Sequence, residues 1–214
     1  MENIYYLFLG WFLGLLSPKI IKLIEKPYQA REIKNGIISE LNEVKLRMAL
    51  LVNTLSPQYF SLNKEMIRWL LPYVEEHERL YLEGKNMSEP LKQLVKADKE
   101  EFTKMVTFIK EKDPEPGYRL IPYLLLFLES QISSLTIFNL SFQKDLLKIK
   151  VKISLLNELI TTSRFYYDKT FENLTENNHI IIKKNLVESY TIVARTSKRL
   201  VEEIDQFISK YKKV

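Results

Sequence analysis

From Tyr123 to Val214 the chain contains neither glycine nor proline. Sheets are built around tight turns, and tight turns favour glycine, proline and asparagine. A 92-residue stretch without Gly or Pro therefore reads as a few long helices. The five glycines are Gly10, Gly14, Gly36, Gly84 and Gly117, and the last of the eight prolines is Pro122. No period-2 alternation runs beyond four or five residues. Ile180-Ile181-Ile182, though β-branched, sits in a helical pattern beside Lys183 and Lys184. The expected fold class is all-α: an N-terminal membrane-anchor helix followed by a bundle of long antiparallel helices.

Two amphipathic stripes support that expectation. The first runs Ile33, Ile37, Leu41, Val44, Met48, Leu51, Leu55, in steps of three and four that hold one helix face. The second runs Leu186, Tyr190, Val193, Ser197, Leu200, Ile204, Phe207, Tyr211, with Ser197 its polar member. Both seams read as packing inside a bundle, with pairing to another chain as the alternative. The coarse map has seven helices, at about 3–25, 28–54, 62–84, 89–112, 118–139, 142–172 and 177–212. Gly84 is placed as a helix C-cap, Ser88 as an N-cap followed by Pro90, and 113–117 (DPEPG) as the clearest loop. The junction near 139–142 is weak enough that its two helices are readable as one.

Enough of the chain is hydrophobic (46%) to build a core, which excludes a disordered polypeptide. There is no cysteine. That removes disulfide scaffolds, cysteine-based zinc sites and thiol catalysis. Together with abundant Lys, Ile and Asn, it fits a small bacterial membrane protein.

The N-terminus carries the strongest localisation signal. Residues 4–16 (IYYLFLGWFLGLL) are uninterrupted by charge. Thirteen helical residues cover only about 20 Å, against a bilayer core of about 30 Å. Ile20, Ile21, Leu23 and Ile24 extend the apolar content, and Lys19 and Lys22 can snorkel to the headgroups. A short or tilted span over about 3–24 is the expectation. No basic residue precedes the run and no small-x-small site follows it, which argues against a cleaved signal peptide. Lys19, Lys22, Lys26, Arg31 and Lys34 all follow the run. The positive-inside rule then places the N-terminus outside and the rest in the cytoplasm, as a single-pass inner (plasma) membrane protein. The domain expectation is a transmembrane anchor and basic flank over 1–26 and a cytoplasmic helical bundle over 27–214. Gly10 and Gly14 form a G-x-x-x-G, a spacing that lets two membrane helices approach closely.

Residues 120–140 (LIPYLLLFLESQISSLTIFNL) form a second apolar stretch with Glu129 as its sole charge. Its length suits a span, but Glu129, Ser130, Gln131, Ser133 and Ser134 place polar atoms around its middle. The expectation is a central helix buried nearly all round, with a second span as the alternative.

Chemistry is sparse. Glu176 and His179 have the Glu-x-x-His spacing of di-iron bundles, but the matching position before His77 is Val74. His77 lies among Glu75, Glu76 and Glu78 and reads as solvated or locally paired. No nucleophile elbow, phosphate loop, dinucleotide fingerprint or zinc motif is present. No cofactor is expected, and nothing in the sequence recommends an enzyme. The last helix mixes basic residues such as Lys183, Arg195 and Lys212 with Glu188, Glu202 and Asp205, the pattern of a solvated face. Anionic lipid headgroups are the second reading of that charge. Nucleic acid ranks below both, since 24 Lys accompany only 8 Arg and no recognition motif. The functional expectation is a membrane-tethered, non-enzymatic interaction or scaffold protein that engages a protein partner or itself. The alternatives are a membrane-active effector of toxin or phage-defence type, and a bundle that binds a lipid or small molecule.

Overall fold

The computed structural model describes residues 2–59, 62–81, 86–111 and 117–212; within them, the side chains of 2–10, 12–25, 58–59 and 109–111 are not described. The elements are α1 (Glu2–Tyr59), α2 (Lys64–Tyr81), α3 (Ser88–Lys96), α4 (Lys99–Glu111), α5 (Leu126–Ser130), a 3₁₀ turn (Ile132–Ile137), α6 (Leu140–Lys169) and α7 (Glu176–Tyr211). No strand occurs among the described residues, so the fold is all-α.

The seams build the core. Ile37, Leu41, Val44, Met48 and Leu55 of α1 are buried, with Ile33 and Leu51 partly so. All eight positions of the α7 seam are buried, Ser197 included. Both seams belong to one intramolecular cluster, completed by Phe142, Leu146, Ile149, Ile153, Leu156 and Ile160 of α6. Helix α7 thus lies between α1 and α6. Ion pairs and hydrogen bonds set the α6–α7 register: Ser141 with Tyr211, Asp145 with Lys210, Lys152 with Glu203 and Ser163 with Ser189. Numbers rise on one helix as they fall on the other, so the two are antiparallel. Helices α2 and α4 pack on α1 and α3 packs on α2, around a smaller cluster containing Leu62, Ile67, Val74, Leu91 and Leu94.

Three boundaries differ from the sequence map, and a fourth that was readable either way is settled. The first two expected helices are one, because α1 passes through Pro27 without a break. Proline removes one intrahelical bond, and Pro27 is exposed, where solvent replaces it. The expected helix at 89–112 is two. Ala97 is extended (φ −51°, ψ 145°), and the Asp98 carboxylate accepts from the Glu100 and Glu101 N–H groups to cap α4. Ser88 is not an N-cap. It is the first residue of α3, and its N–H and hydroxyl both donate to the Glu78 carboxylate of α2. The junction near 139–142 is a true break, capped by Asn139, whose Oδ1 accepts from the Phe142 N–H at 2.9 Å. Gly84 and most of the 113–117 loop lie outside the described residues.

The largest correction concerns 120–140. It is not a central helix. Residues 117–125 carry no regular secondary structure and run as a strap, followed by the single turn of α5 and the 3₁₀ turn. Gly117 is where the strap begins, and a Cβ there would meet the hydroxyl of Tyr190, its Cε2 at 2.8 Å and its Cζ at 3.0 Å. Tyr190 is fully buried and cannot swing away. Gly117→Ala is therefore expected to cost about 1–2 kcal/mol by overpacking. Thermal unfolding followed by circular dichroism checks this; an unchanged midpoint would show that the strap is free to shift.

Candidate interaction surface

A segment without helix or sheet must find other partners for its buried N–H and C=O groups. The strap finds them on three helices. Asn157 of α6 brackets Tyr123, accepting from its N–H at 2.8 Å and donating to its carbonyl at 2.7 Å. Glu40 of α1 accepts from the Phe127 and Leu128 N–H groups at 2.7 and 2.9 Å, at the start of α5. Tyr190 of α7 donates to the Tyr118 carbonyl at 2.6 Å. Arg119 forks onto Asp168 at 3.1 and 3.3 Å, and its guanidinium holds that carboxyl below the usual range. Lys150 reaches Glu129 at 3.7 Å. The strap therefore descends α6 from residue 168 to residue 150 while lying against α1 at Gly36 and Arg47.

Leu120, Tyr123, Leu125 and Leu128 point into the core, where burial pushes the Tyr123 phenol well above its ordinary pKa. Ile121 (71% exposed), Leu124 (63%) and Leu126 (66%) point out. On α6, Leu140, Leu147, Val151 and Leu155 are also exposed, and their spacing of seven, four and four puts them on one helix face. These side chains form an exposed apolar run on two adjoining elements.

The other polar constellation is internal. Lys45 of α1 is 7% exposed and meets Asp205 of α7 at 2.8 Å. The second carboxylate oxygen of Asp205 accepts from the Tyr73 hydroxyl of α2. Burial, then that hydrogen bond, drives the Tyr73 phenol far above its ordinary pKa. Lys198 caps the cluster over the Trp69 ring, 5.1 Å from its centroid. The three charged or phenolic groups satisfy one another and serve to lock α1, α2 and α7 in register.

Shallow grooves lie between α6 and α7, one beside Tyr166 and Ser189 and one beside Asp145 and Gln206, with a third beside Arg47 and His77. None of these three is lined by residues 120–128. His77 stacks against Tyr81, with ring centroids 5.0 Å apart. Among the described residues no three His, Asp or Glu side chains gather as a metal site.

The sequence-predicted site residues divide into three groups. The side chains of Gly10, Gly14, Lys19 and Lys22 lie outside those described, although their backbone belongs to α1. Lys26 and Arg31 are exposed and Lys34 is half-buried. Ile33, Ile37, Leu41, Val44, Met48 and Leu51 face the protein's own α7, so that seam is already occupied. Among the described residues, no helix is long and apolar enough to cross a membrane. The residues that sequence reasoning missed are Asn157 and Glu40; single polar side chains at distant positions carry no pattern that identifies them as strap anchors. Comparison with known protein families, curated proteins and solved structures finds no match to this chain.

Proposed function

We propose that the chain is a membrane-tethered, non-enzymatic interaction module. Residues 1–26 are the anchor and residues 27–214 a helical bundle held at the cytoplasmic face, where the strap and α6 receive a protein partner. The observation that carries this reading is the continuity of α1. One helix of 58 residues, about 87 Å of contour, includes both the 4–16 apolar run and the Ile33–Leu55 seam. An anchor built this way holds the bundle at a fixed position rather than on a loose linker. The exposed Ile121, Leu124 and Leu126 supply the apolar centre that protein interfaces require.

The test compares the full chain with one starting at residue 27, fractionated from cells with an alkaline carbonate wash. The full chain is expected to stay in the membrane and the shorter one to be soluble and helical. Affinity capture with the full chain should then recover a partner that a Leu124→Asp/Leu126→Asp variant loses. Release of the full chain by carbonate would overturn the tether. Recovery of neither a partner nor a second copy would overturn the module. A second reading, a membrane-active effector, rests on the same outward leucines, and dye entry with growth arrest on overexpression would favour it.

A further inference from the structure

A groove between α1 and α2 gathers hydrogen-bond donors that the protein itself does not use. Glu43, Leu46, Arg47 and Leu50 stand on one face of α1, at steps of three, one and three. His77 and Tyr81, one turn apart on α2, form the opposite wall. Together the six line a depression of about 210 Å³. Leu46, which is 3% exposed, and Leu50, which packs against the smaller core cluster, form its apolar floor.

The polar groups above that floor are mostly donors. The Arg47 guanidinium lies 6.0 Å from the Tyr123 ring centroid and 4.0 Å from the Glu43 carboxylate. Those are electrostatic neighbours at distances too long for a hydrogen bond, so its N–H fork has no acceptor among the described residues. Nδ1 of His77 is buried without a partner. A proton there would leave a buried N–H unmet, a rarer state than an unmet lone pair. The proton therefore belongs on Nε2, the nitrogen that is not enclosed, where it makes a donor for the groove. The Tyr81 hydroxyl, on a side chain 58% exposed, supplies a third. Glu43 is the one carboxylate among the lining residues. The acids on either side of His77 are engaged elsewhere, Glu75 by Lys92 and Glu78 by Ser88.

We propose that this groove binds a small monocarboxylate with an apolar body. The carboxylate forks onto Arg47 and accepts from His77 Nε2–H and the Tyr81 hydroxyl, and the apolar body lies on Leu46 and Leu50. A carboxylate is acceptor-only and matches the planar guanidinium fork, whereas an amide would turn N–H groups toward donors. A phosphate dianion fits worse, because Arg47 is the one cation in the lining and Glu43 stands beside it. The volume is below the ~300–1,000 Å³ of drug-sized sites, so the body is a single ring or a short chain. The proposal does not rest on the tether.

The chain has two histidines, His77 in the groove and His179 at the start of α7. Isotope-labelled histidine thus gives one nuclear magnetic resonance reporter inside the site and one outside it, and His179→Gln assigns them. Sodium phenylacetate is titrated into the full chain in mild detergent at constant pH. The His77 ring signal is expected to move saturably, with a dissociation constant in the millimolar range that suits so small a ligand, while the His179 signal stays in place. Phenylacetamide, the neutral isostere, should bind about tenfold more weakly, and Arg47→Gln should weaken phenylacetate by about the same factor. Glu43→Gln should tighten it about threefold by removing a like charge. An unmoved His179 signal in each variant confirms that the fold is intact. A His77 signal that never responds to phenylacetate would overturn the site. Equal affinity for phenylacetamide would reduce it to an apolar groove with no carboxylate recognition. The same saturable shift with inorganic phosphate would refute the choice of a monocarboxylate, and undiminished binding by Arg47→Gln would refute the role given to the guanidinium.

Discussion

Asp205→Ala is expected to lower the free energy of unfolding by about 3 kcal/mol, while Lys45→Met is expected to cost less than about 1 kcal/mol. The asymmetry follows from burial. The Lys45 side chain is 8% exposed and that of Asp205 37%. Without Asp205, a lysine ammonium remains in the α1–α7 interface with no carboxylate, and the Tyr73 hydroxyl loses its acceptor. Without Lys45, methionine fills the same volume, and Asp205 keeps its access to water and its bond from Tyr73. Denaturant unfolding of the full chain in mild detergent, followed by circular dichroism, measures both. The double variant Lys45→Met/Asp205→Leu should recover most of the loss, because an apolar pair needs no compensation. Equal losses for the two single variants would show that the pair contributes net stability and does more than set register.

Asn157→Leu is expected to cost about 2–3 kcal/mol, because it leaves the N–H and the carbonyl of Tyr123 without partners. Tyr123 is itself buried, so water cannot take over both bonds. The loss should be local. Amide hydrogen exchange is expected to accelerate across 118–128 while the α6–α7 amides near Leu156 and Val193 keep their protection. Acceleration spread evenly over the whole bundle would instead make the strap part of the folding core. Unchanged strap exchange would show that Asn157 does not hold it. The Leu124→Asp/Leu126→Asp variant touches only outward positions and should leave exchange unaltered, which separates loss of the surface from loss of the fold.

Much of the helical architecture was legible in the sequence. The seams at Ile33–Leu55 and Leu186–Tyr211 predicted which faces turn inward, because a 3.6-residue period is a local property of the chain. The absence of Gly and Pro after Pro122 excluded a sheet for the same reason. Local punctuation misled at Pro27, which marks a break in the sequence yet lies inside α1 on an exposed face. It was under-read at Asp98, where a capping carboxylate followed by two glutamates marks the start of α4.

What the sequence determined by itself is the fold class and the inward faces of α1 and α7. What only the tertiary structure decided is the state of 117–128. Residues 123–128 (YLLLFL) are apolar and compatible with a helix, and Gly117 and Pro122 are the local signals against one. The course of the strap depends on Asn157, Glu40 and Tyr190, which lie 34, 87 and 72 positions from the groups they bond. Those side chains replace the hydrogen bonds a helix would have made. The strap then buries Leu120, Tyr123 and Leu125, and Ile121, Leu124 and Leu126 are left facing outward. A backbone whose partners are remote in the chain has no local signature, so the surface it creates appears only when the bundle is assembled.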